Sequence, residues 1–371
     1  LGVRHAVRPW ATVTLFAADG AQLPFDVADL RALPYRLSGD GLPADLENDR
    51  AALAERLEAA RQSAADHPPT DSPIFQLVDG YPEISSDRTD VFRDRVRYCS
   101  GIKARLAAAR KEGPAAVAAV EKELGREGGH GLGAFEDQEA GVLVDLFLSY
   151  RAVKAWSEMI ALAGRMPRPL RDTVLVQEQL ALALNRAGEG ERAEQVLQEL
   201  IARRGPSSET YGILGRVYKD RWEAALKTGG ALLARGLLEK AIEAYLRGFE
   251  SDWRDAYPGI NAVTLMTVKN PPDPRREKLL PVVAYAVERR IAAGSPDYWD
   301  FASRLELAVL AGDESTATAA VGEALAAVRE TWEPETTARN LRLIREARAA
   351  RQETLPWAAE IEAALAAAAA G

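Results

Sequence analysis

Histidine and cysteine, the side chains of zinc and thiol chemistry, number only three and one in this 371-residue chain. The three histidines, His5, His67 and His130, fall on three different predicted elements. No His-x-x-x-His or Cys-x-x-Cys spacing exists to complete a ligand set, so no metal and no cofactor is expected. Cys99 is the only cysteine, which rules out an intramolecular disulfide and fits a reducing cytoplasm. Arg95 and Arg97 lie close to it in sequence and favour a thiolate, but a packing role for a helical cysteine is the stronger expectation. Gly128-Gly-His-Gly-Leu-Gly133 has the glycine content of a phosphate loop. It follows a charged helix instead of a strand and lacks the Lys-Ser/Thr of a P-loop, so it reads as an inter-helix loop. No acid–base pair replaces these groups, and no catalytic residue is assigned.

The charged stretch Gly215-Arg-Val-Tyr-Lys-Asp220 offers more. Helical spacing sets Arg216 beside Lys219 and Asp220, with the Arg216–Asp220 pair packing over Tyr218. In Tyr257-Pro-Gly-Ile-Asn261 the Pro-Gly pair reads as a turn, after which Asn261 satisfies helix-end backbone groups. Two readings stay open for the polar set Asn185, Arg216, Lys219, Asp220, Asn261 and Asp300. They tie helices together, or they line a concave surface that binds a protein or peptide partner. Trp222, Trp253, Trp299 and Trp332 are expected to pack between helices.

These residues need a helical frame, and the pattern beyond Asp87 supplies one. Stretches separated by Gly, Pro or Ser punctuation predict helices at about 88–111, 114–124, 135–149, 151–164, 171–187, 190–204, 208–225, 230–251, 274–293, 297–311, 313–330 and 335–350. Their short connections suit antiparallel hairpins stacked side by side. A tetratricopeptide repeat has a period of about 34 residues, with a small residue of helix A packed on one of helix B. Leu180, Ala181 and Leu184, shifted by that period, land on Leu214, Gly215 and Tyr218. Ala193 has its counterpart at Ala241, so the second unit carries about 14 extra residues, placed around Lys227–Ala231. The predicted fold is mainly α, a tetratricopeptide-like α-solenoid with a small truncated α/β segment in front.

That segment covers residues 1–62. Leu1–Arg8 reads as the end of a helix stopped by Pro9, Ala11–Ala17 as a buried strand, and Leu23–Asp26 as a short element leading into Val27–Leu33. Tyr35–Leu37 reads as an edge strand, and 46–62 as a closing helix with Leu46, Leu53 and Leu57 on one face. Residues 63–86 are a Pro-rich linker in which Ile74–Val78 is a possible strand, and 351–371 an Ala-rich helix or tail. The formal charge of −8 disfavours nucleic acid. No apolar run approaches the roughly 20 residues of a membrane span. The chain begins at Leu1 without an apolar leader, and its Ala, Arg and Gly richness points to a GC-rich bacterial source.

The motifs Gly215–Asp220, Ala241–Glu250 and Tyr257–Asn261 together resemble the TRAFs-binding domain, the central regulatory region of the apoptosis signal-regulating kinases. Leu146-Phe-Leu-Ser-Tyr-Arg151 with Met159-Ile160, Ala183-Leu-Asn-Arg186, Tyr298-Trp-Asp300 with Leu310-Ala-Gly-Asp313, and Asn340-Leu-Arg-Leu-Ile-Arg345 continue the resemblance in order over residues 87–350. No kinase motif follows. The resemblance implies a non-catalytic, cytoplasmic scaffold that contacts protein partners and regulates an attached effector domain in signalling or defence, with homo-oligomers possible. Residues 1–62 resemble the end of a TIR-like or nucleoside 2-deoxyribosyltransferase-like domain, with Leu1-Gly2 closing a Glu-Leu-Gly motif. That second resemblance implies an alternative, the regulatory part of a nucleoside- or NAD-processing enzyme whose catalytic glutamate lies upstream of residue 1.

Overall fold

The structure, a computed structural model, describes residues 12–18, 32–66, 86–124 and 138–370. The chain divides into two compact units, Leu1–Ser100 and Gly101–Gly371. In the first, β1 (Leu15–Ala17) pairs in parallel with β2 (Leu33–Tyr35), Leu15 opposite Leu33. The edge strand expected at 35–37 therefore sits two residues earlier, and Leu37 instead bridges antiparallel to Pro43. Helix α1 (Leu46–Asp66) follows, exposing Leu46 and Leu57. The readings placed on Leu1–Arg8, Leu23–Asp26, Ile74–Val78 and Gly128–Gly133, and on His5, His67 and His130, lie outside the described residues.

From α2 (Ser86–Glu112) onward every described regular element is a helix. In the second unit the end of α2 and α3 (Pro114–Leu124) lead into six hairpins. These are α4 (Ala140–Ala152) with α5 (Trp156–Arg165), α7 (Val174–Arg186) with α8 (Gly190–Arg204), and α9 (Ser208–Lys227) with α10 (Ala231–Ser251). The other three are α11 (Ala256–Val268) with α12 (Arg276–Ala292), α13 (Tyr298–Ala311) with α14 (Glu314–Ala326), and α15 (Trp332–Ala349) with α16 (Pro356–Ala370). A single turn, α6 (Arg168–Arg171), links the first two pairs. Side-chain caps fix several entries. Ser207 accepts from Thr210 N at 3.1 Å, Asp255 from Tyr257 N at 3.1 Å, and Asp313 from Thr316 N at 3.0 Å.

Successive first helices α7, α9, α11, α13 and α15 touch one another, which makes the stack a solenoid. The predicted register holds, since Ala181, Leu184, Ala193 and Leu197 share one core with Leu214, Tyr218, Ala241 and Tyr245. The extra residues of the second unit do not form a loop. They lengthen α9 to 20 residues against 13 for α7, and α10 to 21 against 15 for α8, about two turns each. The added turns bury Trp222, Ala225, Ala234 and Leu237.

Helix α11 corrects the sequence reading, which made Tyr257–Asn261 a turn. Pro258 is the third residue of the helix, where its missing N–H costs no intrahelical bond. Position 259 takes glycine because a Cβ there would lie 2.7 Å from the Phe249 ring and 2.8 Å from Val283 Cγ2. Eleven of the 13 residues of α11 are buried, as expected for a helix enclosed by α9, α10, α12, α13 and α15. The tryptophans divide. Trp222 is buried and Trp299 packs between Tyr298 and Trp332, but Trp253 and Trp332 are about half exposed.

Helix α9 meets α10 at Gly215, where an added Cβ would fall 2.6 Å from Tyr245 Cδ1. The buried ring has no free volume to retreat into, so Gly215→Ala is expected to cost about 2 kcal/mol despite the better helix propensity of alanine. Gly236 on α10 has nothing within 4 Å of such a Cβ, and Gly236→Ala is expected to gain about 0.5–1 kcal/mol. Urea denaturation of both variants checks the opposite signs. A gain at Gly215 would mean the two helices do not touch there.

Candidate functional site

The C-terminal ends of α4 and α7, the middle of α9, and residues of α15 and α16 enclose a cleft of about 1010 Å³. Its lining carries six cations, Arg151, Lys154, Arg186, Arg216, Arg339 and Arg342, against one carboxylate, Glu335. That excess sits in a chain whose formal charge is −8. Local structure accounts for the placement. Arg151 and Arg186 occupy the last turns of α4 and α7, where the partial negative charge of the helix end favours a cation. Arg339 and Arg342 are three residues apart and so share a face of α15. Lys154 stands in the turn between α4 and α5 with φ 58, a left-handed backbone that a lysine adopts only at some cost. Ala152, Ala338, Ala366, Ala369 and Ala370 supply an apolar lining without bulk, and the exposed Trp332 stands beside them.

The cations differ in how far they are neutralised. Arg216 donates from Nε to Asp220 Oδ1 at 2.9 Å, and Arg339 and Arg342 stand 3.9 Å from Glu223 and 3.7 Å from Glu362. Among the described residues Arg151, Lys154 and Arg186 have no ion pair. Partial withdrawal from water, then the charge of Arg216, pull the Arg186 guanidinium below its ordinary value. Asp220 opposes this and Arg339 adds to it. Like charges are thus held close together around Arg186.

The residues singled out in sequence meet different fates. Asn185, Arg216 and Asp220 come together, with Asn185 Nδ2 donating to Asp220 Oδ2 at 2.7 Å behind Arg216. Of the six candidates only Arg216 lines the cleft. Lys219, Asn261 and Asp300 are corrections to the groove reading, because all three are buried. Asp300 closes a capping box at the start of α13, its Oδ2 accepting from Asp297 N at 2.9 Å, and it pairs with Arg290. Asn261 Nδ2 donates to Tyr257 O at 2.9 Å within α11. Lys219 faces inward because the solenoid curls until α15 covers that part of α9. Its Nζ donates to Asn340 Oδ1 at 2.9 Å, and Asn340 Nδ2 donates to Glu306 Oε1 at 3.0 Å.

Sequence reasoning missed Arg151, Lys154, Arg186, Arg339 and Arg342 as a set, although Arg151, Arg186 and Arg342 each stand in a motif that carried the family resemblance. Cys99 is half-buried on α2, and among the described residues no cluster of His, Cys, Asp and Glu is arranged to hold a metal ion.

Burial pulls the Lys219 ammonium from the usual 10.5 down to about 8, with the Arg216 charge adding to the effect and Glu306 and Glu223 opposing it. Burial also raises the Glu306 carboxyl, against the Asn340 hydrogen bond and the Lys219 charge. Between pH 8 and the usual 10.5 the folded chain has released the Lys219 proton while the unfolded chain retains it, so stability rises with pH across that window. Relative to Lys219→Met, the wild type is expected to gain about 2 kcal/mol between pH 8 and pH 10 in denaturant titrations. A difference that stays flat would place Lys219 in water.

Known proteins resemble this chain in part. Mitogen-activated protein kinase kinase kinase nsy-1 of Caenorhabditis elegans is 28% identical over 222 residues, covering 54% of this chain and 14% of its own length. The chain therefore spans a small part of that kinase. Among solved structures, a tetratricopeptide repeat protein from Parabacteroides merdae covers 76% of this chain and 99% of its own at 12% identity and a TM-score of 0.38. The family described as the MAP3K TRAFs-binding domain matches residues 1–363, which takes in the first 62 residues as well as the solenoid. The chain belongs to the MAP3K TRAFs-binding domain family.

Proposed function

We propose that this chain is a non-catalytic scaffold that holds a protein partner in the cleft between α4, α7, α9, α15 and α16. Through that contact it regulates an effector domain in signalling. The observation that carries this reading is the cleft itself, a concavity assembled from four hairpins of the solenoid. Concave solenoid faces serve as extended docking surfaces because each hairpin adds one strip of side chains to a continuous wall. Three cations without ion pairs, an alanine lining and an exposed tryptophan are features of a surface made to be covered. The family supports protein partners in general, and the position of the cleft supports this face in particular.

A photo-crosslinking side chain at Ala369, inside the cleft, is expected to capture a discrete protein partner in cells. The same group at Leu232, 88% exposed on α10 and outside the cleft, is expected to capture none of it. Filling the cleft with Ala369→Trp should abolish co-purification of the captured partner without unfolding the chain. Equal capture from both positions, or a partner indifferent to Ala369→Trp, would sink the assignment of this face.

A further inference from the structure

We infer that the occupant of the cleft is an extended acidic segment of a partner protein, its carboxylates distributed over Arg151, Lys154, Arg186 and Arg339 and its small apolar side chains set on the alanine lining. This rests on the reading of the cleft as the partner-binding face and adds the chemistry of what binds there. Charge complementarity is the first argument. Six cations face one carboxylate inside the cleft, while the chain as a whole carries −8, so the cleft draws an acidic segment against the sign of the net charge.

The spread of the cations is the second argument. Arg151 and Lys154 stand at the end of α4 and in the turn after it, Arg186 at the end of α7, Arg216 on α9, and Arg339 and Arg342 on α15. The cations therefore come from several walls of the cleft, an arrangement that suits the spaced carboxylates of a chain segment. The volume of about 1010 Å³ stands at the upper end of what small-molecule pockets occupy and suits several residues of extended chain. Alanines at 338, 366, 369 and 370 let a peptide main chain approach closely, and Trp332 offers a flat apolar contact beside them.

The test uses the whole chain and a fluorescein-labelled peptide of about twelve residues in which glutamates alternate with small apolar residues, read by anisotropy. Its partner probe has glutamine at every glutamate. The glutamate peptide is expected to bind, the glutamine peptide not, and the affinity to fall as salt is raised. Arg186→Glu should weaken binding about tenfold or more. Lys154→Gly should also weaken it while raising the melting temperature, because glycine adopts the φ 58 of that position without strain. A loss of affinity in a more stable protein separates binding from folding. Arg235→Glu, on exposed α10 away from the cleft, serves as the control and should leave the affinity unchanged.

Equal binding of both peptides would overturn the acidic occupant while leaving the cleft as a docking face on apolar contacts. Binding weakened as much by Arg235→Glu as by Arg186→Glu, tighter binding of single-stranded poly(U) with the same dependence on Arg186, or no binding of either peptide would each overturn it as well. None of these outcomes bears on cross-linking at Ala369, which stands or falls separately.

Discussion

The close approach of α9, α10 and α11 through glycine sets the geometry of the whole solenoid. Gly212 lies under Tyr257, Gly215 under Tyr245, Gly248 against Pro258 and Gly259 against Phe249. Each is a helical glycine that costs up to about 1 kcal/mol in helix propensity, and each lets an aromatic ring or a proline ring seat on backbone where a methyl group would stand. Two aromatic rings, Tyr245 and Tyr257, meet edge to face at 6.2 Å between those contacts. Helices held this closely cannot slide, so the extra turns of α9 and α10 extend the stack along a fixed direction. The enclosed helix α11 becomes the axle around which α12, α13 and α15 are arranged.

Curling around that axle brings α15 over α9 and creates a polar problem that the fold solves inside. Lys219 on α9 and Glu306 on α13 are both buried, and a direct contact would demand tight ionic geometry. Asn340 of α15 stands between them, accepting from the ammonium and donating to the carboxylate. A side-chain amide can satisfy both partners at once because it presents an acceptor and a donor on opposite atoms. Three helices far apart in sequence are thereby fixed in one register. An apolar trio in their place would bind as strongly but would tolerate sliding.

Much of the frame was legible in the sequence because it depends on local pattern. The 34-residue shift from Leu180, Ala181 and Leu184 to Leu214, Gly215 and Tyr218 reports a contact made within neighbouring hairpins, and such contacts repeat. Helix α11 was not legible, since Pro258-Gly259 has the composition of a turn and the tight contact with Phe249 and Val283 that accounts for the glycine is a tertiary one. Lys219 was misplaced for a similar reason. A lysine on a first helix of a solenoid faces the concave side, and the sequence does not say that the concavity is closed at that level by a helix 121 residues away. The basic cleft escaped because its cations come from four separate stretches, each with an ordinary local explanation as a helix-end or surface charge.

Those local explanations also account for how the cleft tolerates its own charge. At Arg151 and Arg186 the negative end of the helix dipole offsets part of the positive charge. At Arg216 the Asp220 carboxylate lies behind the guanidinium, held in place by Asn185, and leaves its outer edge toward the cleft. Compensation therefore comes from the walls, while the open side of the cleft stays positive. A carboxylate placed among the lining residues would neutralise the same charge and occupy the space. Backbone dipoles and a second layer of side chains instead hold the cations together and leave the cavity empty of protein acids, apart from Glu335. Removing a wall group such as Asn185 or Asp220 would thus disturb the cleft electrostatically without touching its lining, which ties the one correctly placed cluster from the sequence to the site that the sequence did not reveal.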